Sequence, residues 1–600
     1  MRVFRAGRYL FVMGLRADSV RLLRALVLML VGYLAAPLAA LALRDLTDSV
    51  LAHRTGPALV SAVLAAVALV AELMLSHFAH LDYFEVAELQ QVHMRGELMD
   101  LVNGPPGIGH LDQPDFADKV ALVRDGLYAT TRSLEAVLQL AGLLLQTAIT
   151  VVLLVTVNPW FAFLPLCAVV PVILERVAQA AAESARERTA ERLRLSKHLL
   201  ELATSTGSIK ELRLFGAEAE VLSRQRRAWD EVTRVMWRGQ LKAAACRALG
   251  QGFFALGYGG AIVIELYAAL HRPGSIGDLV LVITLAVQVS VQVSGALGLL
   301  SLLQVAGRTT DRIEELRAAA AAVRPADPAL PESARAPDRL ARGITLEDVS
   351  FTYPSAKQPA LSGVSMHIPA GSVLALVGEN GAGKSTLVKL LCGLYQPTSG
   401  RILIDGEDLA ELDPGKWRSR VATLFQDFHH IELTLGESIG HGDIAHVDDA
   451  EMISAAAGRA RANQVLGAVP GGLSGYVGRS YSDGAELSGG QWQTVGLART
   501  LMRERPLLLI LDEPAAALDA SAEHNLFERY ASTAEHSGRS DGGITVLISH
   551  RFSTVGMAGL IAVLDHGQLA EYGTHRELMT AGGLYAELFT LQARAYNYRD

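Results

Sequence analysis

Apolar residues fall into six long blocks in the first half of the chain, near 22–43, 57–79, 133–157, 159–181, 243–270 and 275–306. Each is long enough to carry a helix across the roughly 30 Å hydrocarbon core of a bilayer. Asn158-Pro159, a turn-favouring residue followed by a helix breaker, separates the third block from the fourth. The polar intervals alternate in length. They are short after the first, third and fifth blocks and long at 80–132 and 182–242, where charge and helix formers dominate, Arg186, Arg188, Arg192, Arg194 and Arg213 among them. The pattern predicts an all-α six-helix transmembrane domain over 1–316, with helices that run on past the apolar blocks and return.

Between 317 and 342 the composition turns to Ala, Pro and charge, which predicts a linker. After Gly343 the period changes again. Short strand-like runs (ITLEDVSFTY, SVLALVG, LLLILDE, ITVLISH, GLIAVLDHG) alternate with helical patterns. That alternation predicts an α/β domain over 343–600 with a largely parallel sheet, so the whole chain reads as multidomain.

Composition supports this division. A chain of 600 residues exceeds what one core accommodates, and half of its residues are hydrophobic. The net charge of −8, from 54 basic and 62 acidic residues, gives no sign of a nucleic-acid partner. Cys167, Cys246 and Cys392 have no metal or disulfide spacing. Arg2, Arg5, Arg8, Arg16, Arg21 and Arg24 precede the first apolar block without a cleavage site, so no cleaved signal peptide is expected. By the positive-inside rule the N-terminus and both long polar intervals belong in the cytoplasm, the protein being multi-pass in the inner (plasma) membrane. The high Ala and Arg content fits a bacterial genome rich in GC.

The chemistry lies in the second half. Gly378-Glu379-Asn380-Gly381-Ala382-Gly383-Lys384-Ser385-Thr386 matches the Walker A pattern, after a strand-like run and before a helical one. Glycines let backbone N–H groups turn in around phosphate oxygens, and the following helix aims its positive end at the same anion. Lys384 is placed to reach the β- and γ-phosphates of ATP, and Ser385 to ligate Mg²⁺. Leu507–Leu511 reads as a buried strand ending in Asp512-Glu513. Asp512 suits the Mg²⁺ shell and Glu513 suits a general base for the attacking water.

Leu487-Ser488-Gly489-Gly490-Gln491 lies just before that strand. With it, nearly the whole chain resembles a half-size ATP-binding cassette (ABC) exporter. The resemblance implies further roles. Tyr353 would stack on adenine, Gln426 would sense Mg²⁺ and water, Asp519 would cross a dimer interface, and His550 would contact the γ-phosphate. Ser488, Gly489, Gly490 and Gln491 would face the nucleotide held by a partner's loop. Two ATP molecules would then lie between two such domains in a homodimer, or a heterodimer with another half-transporter. Three features depart from the family pattern: Ala515-Ala516, Thr494, and the segment 478–484, which lacks the usual glutamate after Val477-Gly478.

The family also implies a short coupling helix in each long interval, near Gly109–Lys119 and Lys210–Glu218, and Phe215 is expected to enter a groove beside Gln426. The implied function is ATP-driven export of a lipid, a drug-like compound or a modified peptide. Import on the same fold and a regulatory membrane ATPase are the alternatives. Thr284, Gln288 and Gln292 share one stripe of the last span, open to two readings: lining of a central cavity or hydrogen bonding between helices. Glu72 and Glu265 are ionisable groups within or near apolar blocks, candidates for a cationic substrate or for an interface with water.

Overall fold

The computed structural model describes residues 2–271, 276–323, 336–513, 542–549, 555–556 and 558–597. The chain divides into two compact units, Met1–Leu98 with Ala121–Glu315, and Met99–Val120 with Leu316–Asp600.

The first unit is helical. α1 (Arg2–Leu51), α2 (Thr55–Asn103), α3 (Pro114–Val157), α4 (Val169–Thr204, preceded by a 3₁₀ segment Pro159–Ala168), α5 (Thr206–Phe215), α6 (Glu218–His271) and α7 (Ile276–Val323) follow in order. Among the described residues, six helices are long and apolar enough to cross a membrane. On α2, Leu59, Val63, Val67, Val70 and Leu73 are more than half exposed. Such a face is a liability in water and is natural against lipid. The block that starts at 22 has a local cause: Asp18 leaves helical geometry (φ −156°, ψ 99°) and its Oδ1 accepts the Arg21 N–H at 3.0 Å. The arginine-rich N-terminal helix is thus capped off from the first span. α4 and α6 pack closely because small residues meet, a Cβ at Gly239 falling 2.6 Å from the Ala185 Cβ.

Among the described residues, the second unit has two sheets. A six-stranded one runs β10 (Gln568–Gly573), β9 (Leu560–Asp565), β3 (Val373–Val377), β8 (Ile544–Ile548), β7 (Leu508–Asp512), β6 (Val421–Leu424). All its pairings are parallel except β9 with β10. β8 is buried at every position, as a strand covered on both faces requires. A separate four-stranded antiparallel sheet, β2 (Leu361–Pro369), β1 (Gly343–Phe351), β4 (Ser399–Ile404), β5 (Glu407–Asp408), was not anticipated. The run ITLEDVSFTY supplies β1, and its partner β2 alternates buried and exposed positions, with one face solvated.

Two expectations shift. The stretch 317–342, read as a linker, begins as helix, since α7 runs on through its alanines to Val323. The segment near Gly109–Lys119 is a turn followed by the start of α3 at Pro114, because proline at the first helical position fixes the start there. The turn packs within the second unit. Ile108 N–H donates to the Leu394 carbonyl at 3.0 Å, and the Tyr395 hydroxyl donates to Asp112. Near Lys210–Glu218 stands α5, stopped by Gly216 in the left-handed region (φ 61°), with Leu214 79% and Phe215 76% exposed.

Candidate functional site

The loop 378–386 joins the carboxyl end of β3 to α8 (Lys384–Leu391). Gly378 (φ 151°), Gly381 (φ 86°) and Gly383 (φ 98°) all take positive φ, which lets the loop curl back on itself. Gly378 is irreplaceable by size as well, since a Cβ there falls 2.2 Å from the Leu564 carbonyl. A Cβ at Gly381 would meet nothing within 4 Å, so the loop keeps open space on that side. Lys384 is buried, and its Nζ donates to the carbonyls of Gly378 at 2.7 Å and Glu379 at 2.9 Å. Burial lowers its pKa, while Asp512 and Glu513 act against that shift. The next two hydroxyls diverge: Ser385 is exposed and Thr386 is buried.

Asp512 closes β7 and is 5% exposed. Burial, reinforced by the charge of Glu513, pushes its pKa up to about 6, and Lys384 opposes the rise. Glu513 sits in the left-handed region at φ 49°, unusual for a residue with a Cβ. It is held there on three sides. Its N–H donates to the Ile548 carbonyl at 3.0 Å, its Oε2 accepts from Gln426 Nε2 at 3.1 Å, and its carbonyl accepts from Gln493 Nε2 at 3.0 Å. The fold therefore brings Gln426, after β6, beside Glu513, 87 residues away.

Ser488 is the N-cap of α13 (Gly489–Thr500, with α9 to α12 spanning Pro414–Ser419, Leu435–Gly440, Ala450–Arg459 and Asn463–Ala468). Its Oγ accepts from Gln491 N–H at 3.3 Å, and Gln491 Oε1 accepts from Ser488 N–H at 2.8 Å. This capping box assigns Gln491 a local role in shaping the helix start. Ser488 and Gly489 are exposed, with Gly490 half-buried. The departure at Thr494 is accommodated by a bond from its Oγ1 to the Gly490 carbonyl at 2.9 Å. Tyr353 meets the loop at its last residue. Its hydroxyl lies 3.1 Å from Thr386 Oγ1 and its ring meets Phe351 and Tyr395 edge-on. Lys389 Nζ lies 5.8 Å from the ring centroid. His550, Asp519, Ala515 and Ala516 lie outside the described residues.

Sequence reasoning missed Gln493, and the His430 ring stacked on Trp492 at 4.5 Å with planes 5° apart. The only available signal was that both tryptophan and glutamine directly follow Gln491. In the first unit, the polar stripe of α7 is engaged between helices at one end of each glutamine, while Gln288 Oε1 and Gln292 Nε2 are buried and make no hydrogen bond among the described residues. Gln288 Nε2 donates to the Ala36 carbonyl at 3.0 Å, and Gln292 Oε1 accepts from Thr147 at 3.2 Å. Glu265 is buried and Glu72 half-buried.

The family model described as "ABC transporter" matches residues 361–516. An ATP-dependent lipid A-core flippase of Chromobacterium violaceum is 30% identical over 512 residues, 83% of this chain and 79% of that one. The chain belongs to the ABC transporter family. The subtilin transport ATP-binding protein SpaT of Bacillus subtilis is 36% identical over 245 residues, 41% of this chain and 39% of its own. A solved bacterial Atm1-family ABC exporter with ATP bound is 25% identical, with TM-score 0.74 over 96% of this chain and 99% of its own. As an ABC transporter, this multi-pass membrane protein binds ATP and couples its hydrolysis to transport. The loop fits ATP on its own geometry, with a buried cation, inward-curling glycines and open space at Gly381.

Mg²⁺ fits as well. Among the described residues there is no cluster of three or more His, Cys, Asp or Glu. Ser385, Asp512 and Gln426 carry a hydroxyl, a carboxylate and an amide oxygen, which are hard donor types. Such donors are what Mg²⁺ takes when phosphate oxygens and waters complete its shell.

Proposed function

We propose that the protein is an ATP-driven exporter working as a dimer of two copies, with Glu513 as the general base and Mg²⁺ held by Ser385, Asp512 and Gln426. The observation that carries this is the contact of Gln426 with Glu513, beside Lys384 and Asp512 in one α/β unit. Lys384 holds the terminal phosphates, Mg²⁺ supplies charge neutralisation when bound, and Glu513 polarises the attacking water that Gln426 helps place. His550 completes the set at the γ-phosphate, and Tyr353 offers a ring to adenine. Ser488, Gly489, Gly490 and Gln491 present a helix N-terminus to the nucleotide of the other copy.

ATP held by both copies favours their closed arrangement, and loss of the γ-phosphate releases it. The N-terminus and nucleotide-binding unit are cytoplasmic, and the direction is export, as in the exporter and flippase relatives. The substrate is an amphiphile or modified peptide. A lipid A-core flippase and a subtilin transporter among the relatives bracket that range.

Glu513→Gln tests the reading. It keeps shape and removes the base, so turnover should fall by about 100-fold or more while ATP still binds. Unchanged turnover would remove Glu513 from the chemistry. Inside-out vesicles test direction: ATP-dependent uptake of substrate means export, and ATP-dependent loss means import.

A further inference from the structure

The first unit contains a cavity of about 290 Å³ between α4, α6 and α7. Its polar wall is an ion pair. Arg247 Nε and Nη2 meet the two carboxylate oxygens of Glu175 at 2.9 and 3.1 Å. Beside it, Gln251 Nε2 donates to Ser294 Oγ at 3.2 Å. Phe254 and Leu297 supply apolar wall. All these residues lie inside the apolar blocks 159–181, 243–270 and 275–306, toward the end that carries the long polar interval 182–242. Charges at such depth are expensive and are kept where they act.

We propose that this cavity recognises the zwitterionic head of an amphiphile, one anionic and one ammonium group carried on an apolar body. The inference rests on the transport reading above and names the substrate class for it. Three features select that class. First, the pair is forked and neutral, and each member keeps capacity. Nε and Nη2 of Arg247 face Glu175, so the Nη1 edge of the guanidinium remains for a second anion. The carboxylate of Glu175 has about four acceptor positions, of which Arg247 and Gln179 use part.

Second, the exposure is unequal. The Arg247 side chain is 48% exposed and that of Glu175 only 14%, so an incoming anion meets the guanidinium first and the ammonium then settles against the carboxylate. Third, the site has no net charge. A purely anionic or purely cationic head would leave one charge uncompensated beside the apolar wall, whereas a head of both signs leaves none. The Gln251 carbonyl and the Ser294 hydroxyl proton remain for the polar atoms between the two charges, and Phe254 and Leu297 take the first carbons of the body. The volume is near the low end of ligand pockets, right for a head group rather than a whole lipid. The stripe Thr284, Gln288 and Gln292 is a separate, uncharged feature of α7, in which Gln288 Oε1 and Gln292 Nε2 are buried and make no hydrogen bond among the described residues. Gln288 and Gln292 bond to α1 and α3, and Thr284 bonds to the Val280 carbonyl of its own helix.

The test uses the full chain in detergent micelles, titrated with lysophosphatidylethanolamine, lysophosphatidylglycerol and an alkyltrimethylammonium of one chain length. Thermal midpoint and ATP turnover are read together. The zwitterion should half-saturate both at a concentration at least tenfold lower than either singly charged amphiphile. Arg247→Gln and Glu175→Gln should each erase that advantage. Ser294→Leu fills the cavity while leaving the ion pair whole, and should erase it too, which covers the case of a charge variant that fails to fold.

Free phosphoethanolamine and a free dipeptide distinguish the source. If either acts at the lysolipid's concentration, the ligand is a soluble zwitterion; if only the lysolipid acts, it is a lipid head. Both results support the site. Equal responses to the three amphiphiles, or native responses from Ser294→Leu and Arg247→Gln, overturn it. A selective midpoint shift in a chain without ATP turnover would instead sink the transport reading and leave the site standing.

Discussion

Replacing Gln493 by methionine keeps the shape of the side chain and removes its donor. In the native chain that donor holds the Glu513 carbonyl at 3.0 Å, next to a backbone at φ 49°. A left-handed backbone costs a residue with a Cβ about 1–2 kcal/mol, and it persists only while its surroundings hold it. Depriving a part-buried carbonyl of such a bond costs about 1–2 kcal/mol, toward the low end of the range for a fully buried group. If Glu513 relaxes toward ordinary backbone geometry, its carboxylate leaves Gln426, and most of this cost falls on the transition state. Taking about 1–2 kcal/mol, kcat should fall roughly 5- to 30-fold. KM for ATP should stay within about twofold, because the loop 378–386 is untouched.

Steady-state ATP turnover of the purified protein in lipid measures both constants. A double-mutant cycle with Gln426→Met, which removes the other tie to Glu513, should be non-additive by about 0.5–2 kcal/mol. A kcat within twofold of the native value, or a loss confined to KM, would refute the idea that Gln493 positions the carboxylate through its backbone.

Three further outcomes are expected. Phe215→Asp places a charge on the exposed tip of α5, where Leu214 and Phe215 stand 79% and 76% exposed. ATP turnover should persist while vesicle transport drops more than tenfold, and normal transport would remove the tip from coupling. Gly378→Ala forces a Cβ to within 2.2 Å of the Leu564 carbonyl at φ 151°. Strain of about 3 kcal/mol should abolish binding of a fluorescent ATP analogue, and native affinity would show that the loop can shift. Burial pushes the Cys392 thiol up to about 11, above its ordinary value, so the reactive thiolate is scarce below that pH in the folded protein. Maleimide labelling of a Cys167→Ser/Cys246→Ser protein should therefore be slow from pH 7 to 9 and become fast on denaturation. Rapid labelling at pH 7 would contradict the burial.

Several features follow from local sequence because local physics decides them. Six apolar blocks of membrane length can hardly be anything else, and they reappear as α1 to α7 with the extra α5 between them. The loop at 378–386 and Asp512-Glu513 are contiguous motifs whose flanking strands, β3 and β7, form where the apolar runs predicted them. The same locality explains what could be misread. Alanines after 316 continue a helix as readily as they fill a linker, and Pro114 starts a helix just where a separate short one was expected.

Other features needed tertiary structure because they depend on partners far along the chain. Nothing in the order of residues says that Gln426 meets Glu513, that Gln493 supports the same residue from behind, or that His430 covers Trp492. Nor could helical spacing show which neighbours the α7 stripe meets, since only packing brings Gln288 Nε2 to α1 and Gln292 Oε1 to α3. The polar groups left facing a cavity, Glu175 and Arg247, come from two helices whose register is set by close packing of small residues such as Gly239 and Ala185. Sequence thus decided which chemistry the chain carries, because propensity, hydropathy and motif are local properties. Only the fold decided which groups share a site, because hydrogen bonds and burial act across any sequence distance once the chain has closed on itself.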